Sequence, residues 1–224
     1  MSFPQVHLIC GTDTEAARLA PVALAMRAAG LLQPVLVTSD PAGLGLAAFE
    51  LTADLTVEAG PLGEMIARFD DLWSGRTPDA IVVPGSTVTS LAAALAAAWR
   101  HIPVVHLGAD RRVDEPDEAD GRLITQVAAV HLVPTSIAAM DLLDEGIAAR
   151  DILVTGDTAY DAALAIARRN LPSSQIAQAN PYSDGRAADR AAQATAALLG
   201  LAEQPAPMPI ADMESPATTV PFGA

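Results

Sequence analysis

Short apolar runs rich in β-branched residues alternate along this chain with longer segments whose apolar residues recur at helical spacing. Each short run predicts a buried strand, and each longer segment predicts a helix that crosses from one strand to the next. Because such crossovers join parallel strands, the pattern indicates a parallel sheet. The predicted strands are residues 6–10, 34–38, 80–83, 104–106, 131–133 and 152–154, with 54–57 as a weaker candidate.

The segments between these runs predict a doubly wound α/β domain with a single Rossmann-like parallel sheet over residues 1–170. The predicted helices are residues 14–29, 61–73, 87–100, 116–128, 136–145 and 158–169. Residues 171–180 are interpreted as a connector, and a further helix is predicted near 186–199, ending at Gly200. Residues 201–224 have several prolines and no periodicity, so we expect a disordered tail there.

The charge of the chain argues against two classes of partner. The formal net charge is -14, and all 13 basic residues are arginines. A field of this sign repels nucleic acid and anionic membrane surfaces, although a few arginines and helix N-termini can still bind an anionic sugar nucleotide locally. The single cysteine, Cys10, excludes an internal disulfide and fits a reducing cytoplasm, and no apolar run is long enough to span a membrane. The histidines show no metal-binding spacing.

The first strand is followed by Gly11, Thr12 and Glu15, with Arg18 one turn further along the predicted helix. A glycine at a strand–helix turn lets the backbone approach a ligand, and a helix N-terminus offers free N–H groups to a phosphate. The same residues suit a tight turn in which Thr12 only caps the helix. The dinucleotide fingerprint with its further glycines is absent, so NAD is not favoured and no cofactor is expected.

Two later turns carry further candidates. Ser86 and Thr87 follow another predicted strand, where their hydroxyls can hold a sugar or phosphate or equally cap the next helix. His106 ends a strand and is followed at some distance by Asp117 and Glu118. These carboxylates can act as acid and base in a cleft, or can simply complement the dipole of a helix N-terminus.

The order of these turns and the residues in them resemble those of the non-hydrolysing UDP-N-acetylglucosamine 2-epimerases. The family pattern Gly-Thr-Arg-Pro-Glu-Ala corresponds to residues 11–16. Further matching segments are Leu19-Ala20-Pro21, Pro78-Asp79, Gly85-Ser86-Thr87, Ile102-Pro103-Val104, His106, Pro116-Asp117-Glu118-Ala119, Pro134-Thr135, and Thr155-Gly156-Asp157-Thr158 with Asp161. The resemblance implies the N-terminal half of a glycosyltransferase-B-like epimerase. It also implies UDP-sugar contacts at Gly11, Thr12, Glu15, Arg18, Ser86, Thr87 and Arg122.

A second match lies near the end of the sequence. Residues 180–187 resemble the Asn-Pro-Tyr-Gly-Asp-Gly-Lys-Ala segment at the C-terminus of the family. In the family, the helix that follows crosses back onto the first domain, so residues 181–200 are expected to pack there. Residues 171–179 join the two matches directly, which indicates that the second domain, with its part of the UDP site and a catalytic histidine, is missing.

The family's charged positions are also altered within the first domain. The arginine of the first turn is Asp13, the aspartate of the Gly-Asp-Thr motif is Ser86, and the glutamate of the His-Val-Glu-Ala-Gly-Leu-Arg motif is Gly108. Asp13 is expected to repel a phosphate at this turn. Asp117 and Glu118 remain as possible catalytic groups, and Arg122 is displaced by one position from a family arginine.

These departures predict a truncated, non-catalytic protein that serves as a nucleotide-sugar-binding or interaction module. The resemblance implies a homodimer or pairing with an intact epimerase. The alternative is an active UDP-GlcNAc 2-epimerase completed by a partner chain, with Asp117 as the remaining acid or base. In either case we expect a cytoplasmic protein with no metal.

Overall fold

A computed structural model of the protein describes residues 3–39, 44–109, 118–172 and 183–209. In this part of the chain the strands are β1 (Gln5–Cys10), β2 (Gln33–Thr38), β3 (Leu55–Thr56), β4 (Ala80–Pro84), β5 (Val104–Leu107), β6 (Val130–Val133) and β7 (Ile152–Val154). All are parallel, in the order β3-β2-β1-β4-β5-β6-β7. The predicted α/β fold class is confirmed.

The helices lie on both faces of this sheet. They are α1 (Asp13–Ala29), α2 (Leu44–Ala47), α3 (Leu62–Gly75), α4 (Val88–Trp99), α5 (Glu118–Val127), α6 (Ser136–Asp144), α7 (Thr158–Asn170) and α8 (Ala187–Leu198), with a 3₁₀ turn at Ala149–Asp151. The sequence pattern did not predict α2 or the 3₁₀ turn, because four or three residues are too few to show helical periodicity. None of the described helices is long and apolar enough to cross a membrane.

Alternate residues of the central strands pack into two different apolar layers. Leu8 of β1 points into a core shared with α1, α7 and α8, and its neighbour Ile9 points into a core shared with α3, α4 and α5. With few aromatic residues available, the second layer relies on alanines of α4 that allow close approach to the sheet. The crossover connections run outward in both directions from β1 and β4, so the switch point of the sheet lies between them.

Helix α8 is fastened to the domain by buried polar groups at its start. The Asp161 carboxylate of α7 accepts a 2.7 Å hydrogen bond from the Ala188 N–H, which caps α8 from a neighbouring helix. Arg190 donates to the Thr155 carbonyl at 3.0 Å and to both Asp184 carboxylate oxygens at 2.8 and 2.6 Å. These contacts connect α8 to the end of β7.

Replacing Arg190 with alanine should lower the free energy of unfolding by about 2 kcal/mol, since it leaves the Thr155 carbonyl without this donor and the Asp184 carboxylate without its ion pair. Urea unfolding would measure the change. The matched control is Arg186→Ala. This exposed arginine lies four residues earlier, and its ion pair with Asp189 is long, at 4.0 Å. The control should change stability by less than about 0.5 kcal/mol, and an equal loss in both variants would contradict the role of Arg190.

The segment after α8 differs from the disordered tail that was expected. Pro205 is buried, the Gln193 side chain donates to the Glu203 carbonyl at 3.1 Å, and the Met208 N–H donates to the Val154 carbonyl at 2.8 Å. An extended, proline-containing segment needs no periodic pattern to pack, and the edge strand β7 supplies a backbone acceptor. Residues 210–224 lie outside the described part of the chain.

Candidate functional site

The turns that follow β1 and β4 meet at the carboxyl edge of the sheet, at its switch point. The turn after β1 carries Thr12, which caps α1 by accepting from the Glu15 N–H at 3.2 Å. The turn after β4 carries Thr87, which caps α4 by accepting from the Ser90 N–H at 3.2 Å. Both capping alternatives raised by the sequence are therefore realised, and the two helix N-termini lie side by side.

Glu15 joins these two turns through a buried carboxylate. Its Oε2 accepts from the Gly11 N–H at 2.8 Å and lies 3.4 Å from the Thr12 hydroxyl. Its Oε1 lies 2.9 Å from the hydroxyls of both Thr87 and Ser90. Burial raises the pKa of Glu15 above its ordinary value, and these hydrogen bonds act against that rise. With both oxygens engaged by the protein, Glu15 organises the site and does not present a free carboxylate to a ligand.

Gly11 is required by the closeness of the two turns. A Cβ built on Gly11 would overlap the Thr89 side chain at the start of α4. The Thr89 hydroxyl is itself 2.8 Å from the Ser39 hydroxyl at the end of β2, so it has little freedom to move. The glycine therefore allows the backbone of the first turn to lie directly against α4.

Asp13 is placed differently from the expectation that it would face a phosphate. Its Oδ1 accepts a 2.7 Å hydrogen bond from the Gly45 N–H, near the start of α2. A carboxylate at a helix N-terminus satisfies a free backbone donor and complements the local dipole. Asp13 thus ties α1 to α2, and its carboxylate is directed at the backbone of that helix.

Arg18 lies in a small cavity at the carboxyl ends of β5, β6 and β7. The cavity has a volume of about 30 Å³ and is bordered by Arg18, Leu107, Gly108, Gly156, Asp157 and Thr158. The Arg18 Nε is fully buried and has no hydrogen-bond partner among the described residues. A guanidinium is always charged and offers five donors, so an unpaired one beside a cavity is a strong candidate for an anion contact.

Gly108 faces this guanidinium. A Cβ on Gly108 would lie 3.5 Å from Arg18 Nη1, and the φ angle of Gly108 is +71°. A longer acidic side chain at this position would point toward Arg18 and could pair with it. The glycine instead leaves the guanidinium without a carboxylate on this side.

His106 is a buried structural residue. Its Nε2 lies 3.1 Å from the Gly85 carbonyl and its Nδ1 lies 3.4 Å from the Thr125 hydroxyl, so the ring joins β5 to the turn after β4. Burial, with a smaller contribution from His131, lowers the pKa of His106 to about 4. The imidazole is therefore neutral at pH 7 and has both nitrogens engaged.

Two further candidates within the described residues, Ser86 and Arg122, do not border the Arg18 cavity. Ser86 is half-buried and lies against α5, where a Cβ on Gly121 would be 3.3 Å from the Ser86 Cβ. Arg122 is on the exposed side of α5, beside Leu123 and Gln126, and does not border the Arg18 cavity. Asp117 and the Glu118 side chain lie outside the described residues. The described residues contain no group of three His, Cys, Asp or Glu side chains that could hold a metal ion.

Comparison with known proteins decides the family. The family model for UDP-N-acetylglucosamine 2-epimerase matches residues 41–178 of this chain. The chain belongs to that epimerase family. A curated relative from Ralstonia nicotianae, described as a probable UDP-N-acetylglucosamine 2-epimerase, is 30% identical over 182 residues, which cover 74% of this chain and 48% of the relative.

Solved epimerases show the same fold. The UDP-GlcNAc 2-epimerase from Neisseria meningitidis bound to UDP-GlcNAc is 30% identical, with a TM-score of 0.68 over 77% of this chain and 51% of that one. The Methanocaldococcus jannaschii UDP-GlcNAc 2-epimerase in complex with UDP-GlcNAc and UDP is 27% identical, with a TM-score of 0.68 over 74% and 51%. This chain spans about half the length of the epimerases that it matches. The resemblance found from the sequence is confirmed for the N-terminal part of the family.

Three residues of this epimerase-family site were missed by sequence reasoning. Ser90 was not among the predicted site residues, yet it is one of the groups that hold Glu15. Its position three residues after the capping Thr87 was an available signal. Asp157 and Thr158 belong to a segment that resembles the family, but only the folded chain places them beside Arg18.

Proposed function

We propose that this epimerase-family protein binds a nucleotide sugar of the UDP-GlcNAc type through Arg18 and does not catalyse its epimerisation. The observation that carries the proposal is the Arg18 guanidinium at a cavity on the carboxyl edge of the sheet, whose buried Nε has no hydrogen-bond partner among the described residues. A partly buried cation without a partner is unfavourable, and the diphosphate of a nucleotide sugar supplies the missing anion. That relatives have been solved with UDP-GlcNAc and UDP supports this choice of ligand.

Within the described part of the chain, the acidic and basic side chains near Arg18 are engaged in structural contacts, with the Asp157 carboxylate capping α7, and this supports a binding role. At two positions where the family pattern has a carboxylate, this chain has Ser86 and Gly108. Glu15 has both carboxylate oxygens held by protein donors, and His106 is buried and neutral at pH 7. Proton transfer at a sugar carbon needs a free base and acid within reach of the substrate, and these side chains do not provide them.

The same loss explains how Arg18 becomes available. An acidic side chain at position 108 would extend toward the guanidinium, and Gly108 leaves that space open. We therefore propose that glycine in place of the family's glutamate makes position 108 part of an anion-binding site. A cytoplasmic location, and self-association or pairing with an intact epimerase, remain part of this proposal.

Isothermal titration of the purified chain with UDP and UDP-GlcNAc tests the binding role. Arg18→Gln should weaken binding by at least about tenfold, which corresponds to about 1.4 kcal/mol, because the ligand phosphate loses a charge-assisted partner. The control is Arg27→Gln, since Arg27 lies near the other end of the same helix and is exposed. Arg27→Gln should bind as the original chain does, whereas equal binding by both variants and the original would refute a contact at Arg18.

Proton NMR of the same samples tests the proposal that the protein does not catalyse epimerisation. We expect UDP-GlcNAc to remain unchanged during prolonged incubation with the protein. Formation of UDP-ManNAc would support the alternative of an active epimerase, and loss of that activity in an Asp117→Asn variant would assign the acid or base to Asp117.

A further inference from the structure

Helix α6 is apolar on both its inner and its outer side. Ala138 and Leu142 on the inner side are buried in an apolar cluster with β6. Ile137, Met140 and Leu143 lie on the outer side and are 68%, 63% and 45% exposed. A surface helix normally carries polar residues on its outer side, and a helix that is apolar all round is normally covered. The outer side of α6 therefore has the composition of a contact surface.

The three outer residues form a continuous stripe, which we call the α6 stripe. Residues three positions apart lie beside each other on a helix surface, so Met140 is flanked by Ile137 and Leu143. Leu143 also borders a groove between α6 and the segment after α8, whose other walls include Ile152 and Pro207. The stripe and this groove together form an apolar surface of the kind that marks a protein interaction site.

Acidic residues lie along one side of the α6 stripe. Asp141 and Asp144 each follow a residue of the stripe directly, and one residue corresponds to about 100° of turn. Both carboxylates are therefore on the side of the stripe that is away from the groove. Neither carboxylate forms an ion pair within the described part of the chain. Arg150, which follows α6, lies 3.6 Å from Asp151, so its charge is balanced locally.

The acidic side of the α6 stripe favours a cationic partner. A second copy of this chain brings the same acids and a further net charge of -14, which opposes its approach. In a two-fold pairing of antiparallel α6 helices, the acidic side of one copy also lies against that of the other. An amphipathic helix with Lys or Arg beside its apolar side matches both the apolar stripe and the acids.

We propose that the α6 stripe and the adjoining groove bind a basic amphipathic helix of another protein. The apolar side of that helix covers Ile137, Met140 and Leu143, and its basic residues lie opposite Asp141 and Asp144. The groove and the Arg18 cavity are bordered by different residues. The inference therefore goes beyond the proposed function and does not depend on binding of a nucleotide sugar.

The first test uses two synthetic peptides of about 18 residues, long enough to form a helix. Both have Leu along one side, with Lys elsewhere in the first peptide and Glu elsewhere in the second. Fluorescence anisotropy of the labelled peptides is measured against the original chain in about 0.15 M salt. The Leu/Lys peptide should bind at least about tenfold more tightly than the Leu/Glu peptide. Absence of binding by the Leu/Lys peptide, or equal binding by both, would overturn the inference.

Two serine variants test whether the apolar stripe is the binding surface. Leu143→Ser should weaken binding of the Leu/Lys peptide by at least about tenfold, because the peptide loses an apolar contact where the stripe meets the groove. Leu123→Ser is the matched control, since Leu123 is a leucine of α5 that is 49% exposed, and it should leave binding unchanged. Equal binding by the two variants contradicts a role for the stripe.

A second pair of variants separates local charge from net charge. Asp141→Asn/Asp144→Asn should weaken binding about three- to tenfold. Glu64→Gln/Asp71→Asn removes the same formal charge from exposed positions on α3 and should change binding by less than about twofold. An equal loss in both double variants shows attraction to the net charge alone and sinks the inference. Dimers of the original chain in sedimentation velocity that Leu143→Ser abolishes would instead assign the stripe to a second copy, which also overturns it.

Discussion

Replacing Glu15 with alanine is expected to lower the free energy of unfolding by about 2–4 kcal/mol, because it leaves neutral donors around this buried carboxylate without their acceptor. The substitution removes the acceptor for the Gly11 N–H and the Thr87 hydroxyl, and leaves the Ser90 hydroxyl with the Pro84 carbonyl alone. Buried donors without partners cost far more than the net value of the hydrogen bonds that are lost. The two turns at the switch point should then separate, and UDP binding should weaken as well.

Urea unfolding monitored by circular dichroism measures this effect. Glu64→Ala is the control, because Glu64 is an exposed glutamate whose partner Arg68 lies 3.0 Å away on the same helix. An exposed pair of this kind contributes about 0.5 kcal/mol. A Glu15→Ala loss as small as that of the control would show that the buried donors find other partners and that Glu15 does not organise the turns.

Mild acid is expected to destabilise the protein strongly, because buried histidines must gain a proton. Burial, and secondarily Arg76, lowers the pKa of His7 to about 4, and burial lowers that of His106 to about 4. His7 also accepts a 3.1 Å hydrogen bond from the Trp73 indole, which requires a neutral ring nitrogen. The pKa of His131 is lowered by burial in the same direction.

The sign follows from which state binds the proton. In the unfolded chain these imidazoles become protonated below the ordinary pKa of 6.5, while His7 and His106 stay neutral in the folded chain down to about pH 4. The stability that comes from keeping these two histidines neutral is therefore fully present above pH 6.5. It is lost as the pH falls toward 4, by about 3 kcal/mol for each histidine. Such a loss is comparable to the whole stability of many domains.

The titration of Asp161 has the opposite effect on the stability of the folded chain. Burial raises its pKa to about 6, so protonation of this carboxyl stabilises the folded chain as the pH falls below that value. The gain is about 3 kcal/mol at most, since the ordinary value is 3.8. The raised pKa of Glu15 contributes in the same direction as that of Asp161. We expect the losses from His7, His106 and His131, together with that from the lowered pKa of Asp184, to exceed these gains.

Unfolding free energies between pH 7.5 and 4.5 would measure the acid effect. His7→Asn is the informative variant, because its side-chain carbonyl can still accept from the Trp73 indole while the titrating group is removed. Its stability should fall less steeply with pH, by about 1.4 kcal/mol per pH unit at most. NMR resonances of His7 and His106 that titrate near pH 6.5 in the folded protein would contradict the prediction.

The sequence predicted the fold well because strands and helices of this class have local signatures. Residues 6–10 are a short run of apolar residues that contains His7, and β1 spans Gln5–Cys10. The weaker candidate at 54–57 is reduced to Leu55–Thr56, at the sheet edge. The 201–209 segment was misjudged because its packing depends on the free edge of β7 and leaves no periodic pattern.

The site was only partly accessible from the sequence. For Thr12 and Thr87 the sequence left open both helix capping and ligand binding, and the structure shows that both residues cap helices. Glu15 was expected to contact a ligand, but its oxygens are held by two turns that are about seventy residues apart. Asp13 was expected to repel phosphate, yet it binds the Gly45 N–H.

The sequence by itself determined the alternation of strands and helices, the helix caps and the family. Each of these depends on short runs of neighbouring residues or on a series of such runs. Only the tertiary structure decided which charges are free. Whether Glu15, Asp13 or Arg18 has a partner depends on donors and acceptors brought from distant turns. Gly108 and Thr158 meet Arg18 only when β5 and β7 lie in one sheet. The buried Arg18 Nε, which has no partner in the described part of the chain and on which the proposed function rests, is therefore a property of the folded chain.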